Sequence, residues 1–176
     1  MVFTTRTSVS FPVAPEVAFD YLVDPANRPE WQSSLRSVER IEHAAGSMVA
    51  GVGTRWVDRT VPGFRPRLET TEQQRPSRWS EVGRWRGLEA GLTLTFEASA
   101  GSQGSEASVG SQGSEASAGS LRSEASRRAC TVSATMTFDG PPWWRPVAFV
   151  LSKVSAPPIA ADLRRAARIL DEKRVA

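Results

Sequence analysis

At 176 residues, 40% hydrophobic and 23% charged, the chain can bury one substantial core but not two full domains. Its 22 basic and 19 acidic side chains leave a formal charge of only +3, with neither half strongly one-signed, so nothing demands a nucleic-acid partner. Cys130 is the single cysteine, no segment nears the roughly 18 apolar residues of a spanning helix, and Met1 to Arg6 lack the pattern of a secretory signal; a cytoplasmic protein without stable membrane insertion is expected.

Phe3, Thr5, Thr7, Val9 and Phe11 alternate with Thr4, Arg6, Ser8 and Ser10, the period of a half-buried strand. Ala14-Pro15-Glu16 opens a helix, because proline costs nothing in a first turn whose N–H groups lack partners and Glu16 suits the positive end of the dipole. Val17, Ala18, Tyr21 and Leu22 form its apolar stripe. Asp24-Pro25 starts a second short helix, which Pro29 keeps from running far before Trp31 and Leu35. Alternation resumes over Val38 to His43 and again over Thr54 to Val61, with the small residues of Ala44 to Gly53 as the turn between.

Pro62-Gly63-x-x-Pro66 is turn chemistry, after which Leu68, Thr70 and Glu72 share one face of a fourth strand ended by Arg75-Pro76-Ser77. Arg78 to Arg84 and Leu88 to Glu97 follow, the latter with Leu88, Ala90, Leu92, Leu94 and Phe96 in register. Thr131 to Asp139 is the seventh strand, with Val132, Ala134, Met136 and Phe138 on one face.

Between the last two strands, residues 97–127 form a low-complexity insertion in a single domain spanning 1–176. Gly101 to Ser108 (GSQGSEAS) recurs unchanged at Gly110 to Ser117 and decays into Gly119 to Ser126. Serine at the eighth position of each unit leaves stacked turns nothing apolar to bury, so a disordered hairpin extension is expected, with function outside it. Pro141-Pro142-Trp143-Trp144 and an apolar run from Val147 to Val154 come next, and Pro157-Pro158 breaks that run. In the final helix Ile159, Leu163, Ala166, Ala167 and Leu170 share one face, while Asp162, Arg164, Arg165, Arg168, Glu172 and Arg174 fall mainly on the other.

An antiparallel sheet needs cover on its apolar concave face, and the last helix is the only element large enough to supply it. This order resembles the helix-grip fold of the START-like (SRPBCC) superfamily, also called the Bet v 1-like or polyketide cyclase/dehydratase family. The residues that carry the likeness are Val9 to Val17 (VSFPVAPEV), Asp24 to Trp31 (DPANRPEW), Gly51 to Trp56 (GVGTRW), Pro76 to Trp79 and Ala129 to Phe138. It extends over nearly the whole chain except the repeat, where the family usually has a short turn. The resemblance implies an α+β fold: a seven-stranded curved antiparallel sheet around a long C-terminal helix, with two short helices after strand one. It also implies a small hydrophobic molecule bound between sheet and helix; no cofactor is expected.

The expected cavity lining is Trp31, Trp56, Asp58, Thr60, Leu68, Thr70, Glu81, Leu92, Leu94, Val132, Ala134, Met136, Ile159 and Leu163. If Thr54 points inward, period two sends Trp56, Asp58 and Thr60 inward too, and Asp58 becomes a carboxylate in apolar surroundings that must pair or take up a proton. A hairpin centred near Gly63 sets Asp58 roughly opposite Glu69, with Arg59 or Arg67 as neutralising partner. A register slip of one residue would instead make this a surface salt-bridge ladder. Trp31 either touches ligand near the cavity mouth, as the resemblance suggests, or anchors its helix against the sheet, and Trp56, Trp79 and Trp85 share that ambiguity.

Catalytic signals are sparse. His43, the one histidine, abuts a turn and reads as solvated, no metal-ligand set exists, and Gly51-x-Gly53 lacks the third glycine of a dinucleotide loop. Asp58 is the sole catalytic candidate, as proton carrier of a polyketide cyclase or dehydratase, for which the resemblance is the only ground. Trp143-Trp144-Arg145 reads as a cover over the cavity ahead of a membrane-dipping segment. A protein-interaction module is a further reading, and would require a tightly filled interior and an exposed apolar patch.

Overall fold

The computed structural model describes residues 2–44, 49–99, 129–144, 146, 149–150 and 156–175. Residues 45–48 of the expected turn, the whole repeat and most of the apolar run at 147–154 lie outside these.

Strands β1 (Phe3–Phe11), β2 (Leu35–Glu42), β3 (Arg55–Thr60), β4 (Arg67–Gln74), β5 (Arg78–Trp85), β6 (Leu88–Ala98) and β7 (Cys130–Asp139) form one antiparallel sheet in the order β1-β7-β6-β5-β4-β3-β2. Among the described strands only β1 pairs out of sequence, running antiparallel to β7 from Phe3 opposite Phe138 to Phe11 opposite Cys130. Helix α1 (Pro15–Val23), a 3-10 turn (Pro25–Asn27) and α2 (Arg28–Trp31) link β1 to β2, and the long α3 (Ala156–Val175) closes the described chain. This is the curved sheet wrapped on a C-terminal helix that the resemblance implied.

Local chemistry explains the details. Pro157 and Pro158 sit inside the first turn of α3, where their missing N–H groups break no bond, so they begin the helix instead of merely ending the run before it. The stripe of α1 is rotated from the sequence reading: Val17 is half exposed, while Phe19 is fully buried with its ring 5.1 Å from that of Phe96. A register shift between Thr70 and Glu72 puts Glu72 opposite Ser80, on the outer face with Arg78, instead of beside Leu68 and Thr70. Strand β2 has two such irregularities, and an extra residue in one strand of a pair bends and twists it. Strand β6 runs to Ala98, and the Ser99 N–H donates to the Ala129 carbonyl at 3.0 Å, so Glu97 and Ala98 belong to the ladder and not to the insertion.

The inward rows divide the interior in two. At one end Phe11, Phe19, Leu22, Trp79, Phe96 and Val132 form a closed core with Ala166, Ala167 and Leu170 of α3. Small residues at 166 and 167 let the helix come close, and each large apolar side chain buried there contributes about 1.5–3 kcal/mol. Toward the other end the same rows, now Leu88, Ala90 and Leu92 on β6 and Met136 and Phe138 on β7, face a cavity beneath the first turns of α3.

Candidate functional site

The cavity encloses about 390 Å³ and is walled largely by apolar side chains of β3 to β7, α2 and α3. Its room comes from small residues on the sheet floor: Gly83 and Ala90 face each other across β5 and β6, and Ala134 lies opposite Leu94. A Cβ at Gly83 would stand 3.5 Å from Leu68 Cγ, so any larger side chain there would enter the hollow. Phe64, Pro66, Trp85 and Leu88 form the wall at the β3–β4 and β5–β6 hairpin tips, with the Phe64 and Trp85 rings 4.6 Å apart.

Arg28 crosses into this apolar wall. Asp24 caps the 3-10 turn by accepting from the Ala26 N–H at 2.9 Å, Asn27 Nδ2 donates to the Tyr21 carbonyl at 3.1 Å, and Pro29 follows in the first turn of α2. The backbone so fixed sends the Arg28 side chain inward, and only 2% of the residue stays exposed. Its guanidinium donates to Glu81 Oε2 at 2.5 Å and to Asp58 Oδ2 at 3.1 Å, and Cζ lies 5.4 Å from the centroid of the Trp56 ring. Trp56 Nε1 donates to Asp58 Oδ1 at 3.0 Å, and its ring stacks on Trp79 at 6.5 Å. Both oxygens of Asp58 are thereby engaged. Oε1 of Glu81 accepts no hydrogen bond from a described residue.

Electrostatics follow from that asymmetry. Burial works against the Arg28 charge, but Asp58 and Glu81 outweigh it and hold the guanidinium above its ordinary pKa. Burial pushes Glu81 up to about 7; Asp58 acts in the same direction and Arg28 opposes it. One guanidinium cannot fully neutralise two buried carboxylates, and Glu81 is the one left short. Asp162 of α3 also lines the cavity, its Oδ1 accepting from the Ser33 N–H at 3.0 Å, although the sequence pattern put it on the outer helix face. Trp31 Nε1, Arg28 Nε and Gln32 Oε1 are buried without partners on the same side.

Of the residues expected from sequence, the structure brings Trp31, Asp58, Thr60, Leu68, Glu81, Leu92, Leu94, Ala134, Met136, Ile159 and Leu163 to the cavity wall. Trp56 lies behind Asp58 as its hydrogen-bond donor, Thr70 is buried with an unpartnered hydroxyl opposite Glu81, and Val132 belongs to the closed core. The expected pairing of Asp58 is corrected: its N–H donates to the Pro66 carbonyl, Glu69 stands opposite Arg55 on the outer face, and the neutralising partner is Arg28, not Arg59 or Arg67. Sequence reasoning passed over Arg28 because it sits in a turn between prolines; the signal was a long cation where a capped segment already had its ends satisfied. His43 is exposed, and among the described residues no cluster of metal-ligating side chains exists. Among them, too, no helix is long and apolar enough to cross a membrane.

A family model described as polyketide cyclase/dehydrase and lipid transport matches residues 2–172. Among solved structures, norcoclaurine synthase from Thalictrum flavum, in complex with dopamine and hydroxybenzaldehyde, is similar at 10% identity with a TM-score of 0.64, over 98% of this chain and 88% of that one. The di-domain ARO/CYC StfQ of the steffimycin biosynthetic pathway is similar at 12% identity and TM-score 0.67, over 100% of this chain and 53% of that one. The protein XoxI from Bacillus cereus shares 12% identity at TM-score 0.60, over 97% and 98%. At such identities the likeness speaks to the fold alone. A comparison with curated protein sequences finds no match.

Proposed function

Because the chain belongs to the polyketide cyclase/dehydrase and lipid transport family, we propose that it binds a small, mainly apolar molecule in the cavity between the sheet and α3. The observation that carries this reading is the hollow itself: about 390 Å³ left open at one end of an otherwise closed core, with apolar walls and one polar corner. Folding would fill such space with side chains if stability were the only demand on it, because an unfilled apolar hollow costs dispersion contacts. Titration of the protein with fatty acids, sterols and flavonoid-like probes is expected to give saturable binding of at least one class at one site per chain. No saturable binding across the series would remove the reading. Cys130, buried and unpaired with its thiol pushed up to about 11 by burial and by Glu16, fits a reducing, cytoplasmic setting.

A second reading, a cyclase or dehydratase acting in the same cavity, is favoured by Glu81. A carboxyl with an unengaged oxygen on the cavity wall and a pKa near 7 can give and take protons at neutral pH. The proton-carrying role moves from Asp58 to Glu81, since Arg28 and Trp56 occupy both Asp58 oxygens. With poly-β-ketone analogues as substrates, Glu81→Gln should retain binding and lose turnover; full turnover in that variant would sink this reading.

A further inference from the structure

We infer that the cavity selects an apolar ligand carrying a cationic head group, an ammonium seated against Glu81 at the polar corner; the inference rests on the cavity being a binding site. Among the described residues, the charged groups on the cavity wall are Arg28 from α2, Asp58 from β3, Glu81 from β5 and Asp162 from α3, one cation and three carboxylates. The neighbouring strands β4 and β6 set the uncharged Thr70 and Leu92 opposite Glu81. The single guanidinium is shared between Asp58 and Glu81, and Asp58 has a second donor in Trp56. Glu81 has none, and its Oε1 is open although the residue is only 4% exposed.

A buried carboxylate in that position must either hold a proton or find another positive partner. Burial and Asp58 raise Glu81 to about 7, so without a ligand it is protonation of Glu81 that brings the Arg28–Asp58–Glu81 corner to neutrality. An ammonium entering the cavity supplies the missing charge, and the Glu81 proton leaves to solvent as the ion pair forms. An anionic head group meets the opposite balance: it adds a further negative charge to a wall that already carries an excess. Aromatic faces suit the same choice, since the ring of Trp56 already carries the Arg28 guanidinium and Trp31 borders the corner.

The test is a matched series on the full chain, decylamine, decanol and decanoate, titrated calorimetrically near pH 8 where Glu81 ionises readily. Decylamine is expected to bind about ten-fold tighter than decanol, the size of one charge-assisted hydrogen bond, with decanoate weakest. Glu81→Gln should erase most of the amine's advantage and leave decanol within about two-fold. Asp162→Asn, farther from the predicted ion pair, should reduce the advantage less and guards against a folding defect in the first variant. The formal charge of +3 would draw decanoate to the surface, so nonspecific attraction works against the predicted order. Decanol binding as tightly as decylamine, or decanoate binding best, overturns the inference and leaves the cavity reading standing. If none of the three binds, the inference falls, and the cavity reading falls with it only if the sterol and flavonoid-like probes also fail to bind.

Discussion

Arg28 is the residue on which the polar corner depends, because among the described residues it is the only cation on the cavity wall and two buried carboxylates converge on it. Removing one partner of such a group strands the others in low dielectric. Arg28→Met is therefore expected to destabilise the fold by about 3–5 kcal/mol, measured by urea unfolding. A cost under about 1 kcal/mol would show that water already reaches the carboxylates. Glu81 gives a pH signature of definite sign. Its folded-state pKa is raised from 4.5 to about 7, so its contribution to stability is full below 4.5 and is lost as pH climbs through 7. The melting temperature should fall between about pH 5 and 8 in the native chain and stay flat in Glu81→Gln. Asp20, Glu30 and Glu72 are lowered by their hydrogen-bonding partners Arg75, Tyr21 and Arg78, and act only at more acid pH, outside that window. Asp58 was legible as an inward carboxylate from the two-residue period. Its partner was not, because Arg28 is 30 residues away and no local pattern encodes that contact.

Among elements, strands were more legible than faces. Alternation in β1, β6 and β7 fixes which side chains turn inward, and those rows did reach the core or the cavity. Where one residue is added, as between Thr70 and Glu72, period counting fails from that point on and Glu72 appears on the wrong side. Helix faces failed by smaller angles: Val17 and Asp162 each exchanged places with the pattern because neighbouring elements, not hydropathy, decided their contacts. The floor of the cavity is set by element-level choices of small residues on adjacent strands. Ala134→Trp, in the middle of β7, should fill the hollow and lower probe affinity at least ten-fold while the unfolding transition remains cooperative. Unchanged affinity in a folded Ala134→Trp protein would place the ligand elsewhere.

For the molecule as a whole, the order of elements was legible because each step has its own physical signal: alternation, a proline-opened helix, turn dipeptides and a final amphipathic stripe. The cavity was legible only through the resemblance, since volume arises from how far α3 stands from the sheet, a distance no single residue states. The repeat is expected to be dispensable to the fold, because the Ser99 to Ala129 hydrogen bond already closes the ladder on which it is mounted. Replacing residues 101–127 by a short glycine-containing turn should leave the melting temperature within a few degrees and ligand affinity unchanged. A large loss of either would assign the insertion a structural role.

Attachment along α3 is uneven. Near its C-terminal end Lys173 reaches Glu30, Arg174 reaches the Pro12 carbonyl, and Leu170 is sunk in the core. Near its start, among the described residues, the polar tie is from the Ser33 N–H to Asp162, above a void. A rod fastened at one end and spanning empty space at the other behaves as a cantilever, bending first where support is thinnest. Backbone amides of residues 160–163 should then exchange with deuterium sooner than those of 166–170, and a bound guest should slow the former preferentially. Uniform protection along the rod would mean that the guest enters past the hairpin tips at Phe64 and Trp85 instead.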